Sequence, residues 1–197
     1  WFDRTRVEMG NGAENVEVLI EDDVPALCEI GIDAAMLNGE LAPHSLIGYE
    51  WKDQGYIGMA VEKYPGVVSS IHDKMKLAFK VAGYQGWYSN EMRITENGMA
   101  YYEDATCRFG RPPSEGCCEL YADFTQDIWD LAHGKLPDLK PLASFVVILM
   151  MTSETAEKDW LPVQFPKDIE KWVKLYGSKK TGEGYYCLPV TKDGFIG

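Results

Sequence analysis

The sequence predicts an α+β fold, a mainly antiparallel sheet with helices packed on one face. Three observations carry this expectation. Asn97-Gly98 separates two strand-like runs, Glu91–Thr95 and Met99–Phe109, and Asn-Gly supplies the paired positive φ angles of a tight hairpin. A hairpin rules out a wholly parallel sheet. Two stretches, Ser70–Val81 and Cys117–Ala132, repeat apolar residues at helical spacing with charged residues between. Ser144–Met151 is short, β-branched and free of charge, as a buried strand would be.

The elements follow in order. Val16, Val18 and Ile20 alternate with charged neighbours and predict a half-buried strand over Asn15–Glu21. Asp22-Asp23-Val24-Pro25 has the acidic cap and early proline of a helix start. Leu27, Ile30, Ala34 and Leu37 would share one face of a helix ending at Asn38-Gly39. Between Ala42 and Gly66 only Tyr56–Val61 stands out as a strand. The helix over Ser70–Val81 stops at Gly83, and the next is closed by His133-Gly134. Pro166–Tyr176 predicts a further amphipathic helix, and Tyr185–Val190 a last strand, with Pro189 marking it as an edge. No internal repeat or low-complexity linker divides the chain, so residues 1–197 are expected to form a single domain.

Composition bounds the function. With 197 residues and 46% hydrophobic content, a real core forms without disulfide staples. The 31 acids against 19 bases, a net charge of -12, argue against nucleic acid and anionic membranes, both of which ask for clustered Lys and Arg. Residues 1–66 hold 13 of the acids and 4 of the bases, so the acidity belongs to the first half. The longest apolar run, Leu142–Met151, is about half of what a bilayer needs. Five cysteines, an odd and scattered set, fit free thiols in the cytoplasm.

Phosphate-loop, dinucleotide and serine-elbow motifs are absent, and no Cys/His spacing suits a metal, so neither cofactor nor metal is expected. The thiols carry the chemistry instead. Cys117-Cys118 follows Arg111-Pro-Pro-Ser-Glu-Gly116, where a helix start would stabilise a thiolate; Cys107 ends a hairpin strand nearby. His72 and His44 are the available bases, because His133 closes the far end of the same predicted helix. Arg108 and Arg111 flank the cysteines and suit a carboxylate clamp. Trp87, Tyr88 and Tyr102 have the apolar faces and polar tips of a pocket wall. Glu103 and Asp104 would point to opposite sides of a strand as solvated charges.

The runs Asn90–Thr95, Ala105-Thr-Cys-Arg-Phe109 and Glu115-Gly-Cys-Cys-Glu-Leu-Tyr121, with Cys187 further on, resemble the core of the L-2-amino-thiazoline-4-carboxylic acid hydrolase-like proteins. The resemblance implies that Cys107, Cys118 and Cys187 occupy that family's cysteine positions, and it implies hydrolysis of a small cyclic C–N bond. The expectation is therefore a cysteine-dependent hydrolase acting on a small carboxylate-bearing molecule. Cys118 would be the nucleophile, Cys107 a pocket partner, His72 the base, and Arg108 or Arg111 the clamp. Two other classes stay open: a non-catalytic small-molecule-binding domain, and an accessory subunit docking through its acidic half. A homo-oligomer is compatible with all three.

Overall fold

A computed structural model describes residues 19–52, 54–182, 186–191 and 194–197, together with Val7 and Glu17. Of the strand expected over Asn15–Glu21, Asn15, Val16 and Val18 lie outside the described residues, and Glu17 and Leu19–Glu21 belong to no strand, Leu19 and Ile20 being exposed. In chain order the main sheet contains β1 (Cys28–Leu37), the two-residue β2 (Glu40–Leu41), β3 (Ser45–Trp51), β4 (Gly55–Val61), β5 (Gln85–Ile94), β6 (Ala100–Thr106) and β7 (Phe145–Leu149). Across the sheet they run β6-β5-β1-β3-β4-β7, with β2 beside β1, and every pairing is antiparallel. The α+β class is therefore as the sequence predicts, and the hairpin across Asn97-Gly98 is present.

The centre of the sheet is where the reading fails: residues 28–37 form the strand β1, not a helix. Ile30, Ala34 and Leu37 fit a helical period, but Ile30, Ile32, Ala34 and Met36 fit a period of two equally well. The flanks decide. Ala35 and Met36 are fully buried on opposite faces of the sheet, so this segment gains from being covered on both sides, as a central strand is. Gly31 stands where β1 passes so close to Asn90 that a Cβ would come within 2.4 Å of its carbonyl oxygen.

Helices cover both faces rather than one. On one face α1 (Gly66–Ala82) brings Val68, Ile71 and Phe79 against Ile32, Ala34, Met36, Tyr88 and Met92. On the other, α2 (Pro113–Leu120) and α3 (Phe124–Ala132) bring Cys117, Leu120 and Leu131 against Ala35, Leu46, Tyr56 and Trp87. The stripe from Cys117 to Ala132 is thus two helices sharing one apolar face. The chain turns extended at Tyr121, which bridges to Pro141. Of the helix expected over Pro166–Tyr176 only a short 3-10 turn, Glu170–Trp172, forms. None of its residues is buried, and a short helix with little to pack against is marginal. The remaining strands β8 (Leu161–Val163), β9 (Lys179–Lys180) and β10 (Tyr186–Leu188) make a small separate sheet over Ala156, Leu188 and Ile196. Among the described residues no helix is long and apolar enough to cross a membrane.

A row of glycines crosses the sheet on the α2 face. Gly31 pairs with Gly48, and Gly48 with Gly58, across β1, β3 and β4. The Tyr56 ring lies over this row: a Cβ on Gly48 would fall inside the ring, and one on Gly58 would meet its edge. Gly48→Ala is therefore expected to lower stability by about 1–3 kcal/mol, since the ring has no unstrained place to go. Gly66→Ala, at a helix start with open space around it, should stay within about 0.5 kcal/mol of the native chain. Urea titration of both variants checks this.

Candidate functional site

The helices of the α2 face cover only the end of the sheet around Ala35 and Trp87. Towards the start of β1 the same face is open and forms a cleft. Glu29 and Asp33 of β1, Glu50 of β3 and Glu91 of β5 line it, with Lys52, Arg108 and Arg111 around the rim. The Tyr56 ring, laid flat on the glycine row, forms part of the cleft floor. The cleft encloses about 80 Å³. That is room for an ion with its waters, not for a drug-sized ligand, whose pockets measure about 300–1,000 Å³.

Beside the cleft, Glu103, which does not line it, joins Glu29 and Glu91 because of one irregularity. Glu91 pairs with Asp104, but Met92 pairs with Tyr102, so β6 carries Glu103 as an extra residue in a bulge. The bulge re-aims Glu103. Instead of pointing away from Asp104's side, it brings an oxygen within 4.8 Å of oxygens on both Glu29 and Glu91. The expectation that Glu103 and Asp104 are merely solvated on opposite sides of a strand is thereby corrected. Arg93 holds the group together, its Nε 3.2 Å from Glu29 Oε1 and its Nη2 3.0 Å from Glu103 Oε1, with Asp23 2.9 Å from Nη1. Glu91 is held above the usual carboxylate range, first by partial burial and then by Glu29, Glu103 and Asp104, with Lys52 opposing.

Asp33 sits at the cleft floor and is almost wholly buried. Ser89 Oγ donates to its Oδ1 at 2.7 Å, and the Tyr56 hydroxyl, reaching across the glycine row, donates to its Oδ2 at 3.1 Å. Gly110 closes over the pair, where a Cβ would come within 2.8 Å of Asp33 Oδ1. Burial pushes the Asp33 carboxyl up to about 7; the two hydrogen bonds lower it, and the charges of Glu50 and Glu91 raise it. Near neutral pH this group can hold or release a proton.

The residues expected from sequence divide sharply. Arg108 and Arg111 do reach the cleft, although Arg111 also stacks on Phe195, 4.2 Å from the ring centroid, and on Tyr176. The thiols and their base do not meet. His72 belongs to α1 on the opposite face of the sheet, its Nε2 2.9 Å from the Gly39 carbonyl oxygen. Cys107 is exposed at the end of β6, beside Tyr84 and Tyr102. Cys118 is exposed on α2 and Cys117 is fully buried. The helix begins at Pro113, so both thiols lie beyond the first four unpaired N–H groups that would stabilise a thiolate. Burial raises both thiols above their ordinary range, with Glu115 and Glu119 adding to the rise at Cys118. Trp87 and Tyr88 are core residues on opposite faces, and Tyr102 packs against the α1 core, so none of the three walls the cleft.

No family model and no curated protein matches this chain. Solved structures do. Phosphoribosylamine–glycine ligase from Thermotoga maritima superposes with a TM-score of 0.62 at 14% identity, over 98% of this chain and 54% of that one. N5-carboxyaminoimidazole ribonucleotide synthetase from Thermus thermophilus gives 0.56 at 15%, over 98% and 52%. An ADP complex of the same synthetase, purK, gives 0.52 at 14%, over 98% and 51%. The chain thus spans about half the length of the structures it resembles, and what it shares with them is their fold. This corrects the functional expectation: cysteine-dependent hydrolysis of a C–N bond gives way, because the shared fold is that of ligases. The separation of Cys118, Cys107 and His72 described above agrees with that correction.

Iodoacetamide alkylation followed by peptide mapping should find Cys117 protected until the chain unfolds, and Cys118 reacting only above the ordinary thiol range of about 8.5. The Asp33 carboxyl makes a separate prediction. Below pH 4 it is protonated folded and unfolded alike; between pH 4 and 7 the unfolded chain ionises first, so stability falls as pH rises. Moving from 3.8 to about 7 corresponds to ~4 kcal/mol over that window. Asp33→Asn should flatten the slope by a large part of this amount in urea titrations run at each pH.

Proposed function

We propose that this chain forms the metal- and phosphate-holding part of an ATP-dependent, ligase-like enzyme. The observation that carries the reading is the open cleft on the glycine-floored face, in a fold shared with phosphoribosylamine–glycine ligase and with a synthetase solved with ADP. Three carboxylates within 4.8 Å of one another are an oxygen-only donor set, which suits Mg²⁺ rather than a soft metal. Glu29, Glu91 and Glu103 would hold the ion. Arg108 and Lys52, on the rim, would take phosphate oxygens, the guanidinium in a two-pronged contact. When bound, the magnesium nucleotide supplies a phosphoryl group for transfer to an acceptor.

The chain's own groups do the rest. Arg93 screens the carboxylates from one another and fixes their directions. Asp33, tied to Tyr56 and Ser89, presents a proton-holding group at the floor, within the same cleft as Glu91. The cleft's 80 Å³ is scaled to a metal and phosphate oxygens, so the base and sugar would rest outside it. A small-molecule acceptor and a cytoplasmic setting complete the reading, the latter supported by five free thiols.

Isothermal titration with ATP or ADP tests this directly. Binding is expected to need Mg²⁺, to weaken at least tenfold in Glu91→Gln, about 1.4 kcal/mol, and to weaken by a similar factor in Arg108→Ala. Absence of magnesium-dependent binding at millimolar nucleotide would refute the assignment.

A further inference from the structure

A guanidinium already sits within the carboxylate group beside the cleft. The Arg93 Nε–H is shared between Glu29 Oε1 at 3.2 Å and Glu103 Oε2 at 3.1 Å, and Nη2 reaches the other Glu103 oxygen at 3.0 Å. Both oxygens of Glu103 and one of Glu29 are thus held by a single cation. Among the described residues no ion pair reaches Glu91. Mg²⁺ needs its oxygens at about 2.0–2.1 Å in near-octahedral order, whereas a guanidinium holds the same oxygens at about 3 Å. The two cations cannot occupy this group together. Contacts of this kind also break at little cost: the side chains are open to water, Arg93 by 28%, Glu103 by 35% and Glu29 by 38%, and exposed ion pairs contribute little to stability.

The same guanidinium has a second set of partners. Its Nη1 donates to Asp23 Oδ1 at 2.9 Å and to the Val24 carbonyl at 3.4 Å. Both belong to the stretch leading into β1, which forms no helix or strand from residue 19 to residue 27. Leu27 N–H reaches the Ile94 carbonyl at 2.7 Å and continues the β1–β5 pairing by one bond. Ahead of it, over residues 19–26, the hydrogen bonds found among the described residues are those from Arg93. Leu19 and Ile20 are more than four-fifths exposed, so packing does not fix their end of the stretch.

We infer that Arg93 is an internal counter-ion, which a divalent cation displaces from Glu29 and Glu103, and that its displacement lets go of residues 19–26. The inference rests on the reading of Glu29, Glu91 and Glu103 as the ion's ligands and adds the regulation of that site. In the ion-free chain the guanidinium keeps like-charged groups together across β1, β5 and β6. An ion of charge +2 does so at higher charge density and from a smaller volume, and it takes the two oxygens that share the Arg93 Nε–H. The released Arg93 keeps Asp23 as its pair, so arginine and strap move outward together. Entry of the ion and loosening of the stretch ahead of β1 are one exchange.

Titration calorimetry with Mg²⁺ alone tests the first half. Arg93→Gln, which removes the competitor, is expected to bind Mg²⁺ about tenfold more tightly than the native chain, and Glu103→Gln about tenfold more weakly. Limited proteolysis tests the second half. Glu-C protease should cut the native chain after Glu21 faster in Mg²⁺ than in NaCl of equal ionic strength, and should cut Arg93→Gln fast in either; the native comparison stands even where Arg93→Gln fails to fold. Native Mg²⁺ binding that is unchanged or weaker in Arg93→Gln overturns the inference and leaves the ligand assignment standing, with Arg93 only orienting the oxygens. Tighter binding without a magnesium-dependent cut after Glu21 overturns the release. Absence of Mg²⁺ binding in both chains overturns the ligand assignment, and this inference with it.

Discussion

Asp33 is the group on which the rest of the α2 face depends. A carboxyl buried in mid-strand is costly unless hydrogen bonds satisfy it, and those bonds come from two other strands. Ser89 reaches it from β5, where it directly faces Asp33 in the ladder. Tyr56 must reach it from β4, across the whole of β3, which is open only because Gly48 and Gly58 leave the ring a flat path. The polar triad and the glycine row are one arrangement. Neither makes sense without the other, and together they tie β1, β4 and β5 to the loop that carries Gly110.

That arrangement also divides the face into two ends. Towards Ala35 and Trp87 the strands carry apolar side chains, and α2 and α3 cover them. Past Asp33 the strands carry Gly31, Glu29, Gly48, Glu50 and Glu91, with nothing apolar for a helix to cover, so the face stays open. The same strands therefore supply stability at one end and carboxylates at the other. β1 makes the change within five residues, Glu29 to Asp33, which places the cleft on the best-supported strand of the sheet, paired on both sides.

Much of this was legible in the sequence, and what was not has physical reasons. The Asn97-Gly98 hairpin is local chemistry, so the turn residues alone specify it. β1 was not legible, because a strand covered on both faces loses the polar alternation by which strands are recognised. The break at Tyr121 was hidden for a related reason: two helices packing on one sheet face continue the same apolar stripe. The candidate site was read from thiols, whose reactivity depends on a helix start four residues earlier than the periodicity suggests. Arg108 and Arg111 stand out in the sequence because basic residues are scarce, and both line the cleft. Glu103 was lost because a bulge, invisible to a period of two, turns it towards Glu29 and Glu91. Gly31, Gly48 and Gly58 carry no signal singly; only strand register aligns them.

The carboxylates beside the cleft are what the proposal of a bound cation rests on. Glu29, Glu91 and Glu103 lie close enough to repel one another, and Arg93 supplies a single positive charge that Asp23 also shares. Partial burial and the neighbouring carboxylates together hold Glu91 above the usual carboxylate range, although Glu91 and Glu103 are exposed. Here a bulge spends a strand residue to bring Glu103 in, while Arg93 is too committed to neutralise the group. Holding like charges together without full compensation is stable only at modest density, and it leaves a site whose electrostatic deficit a small divalent ion would relieve.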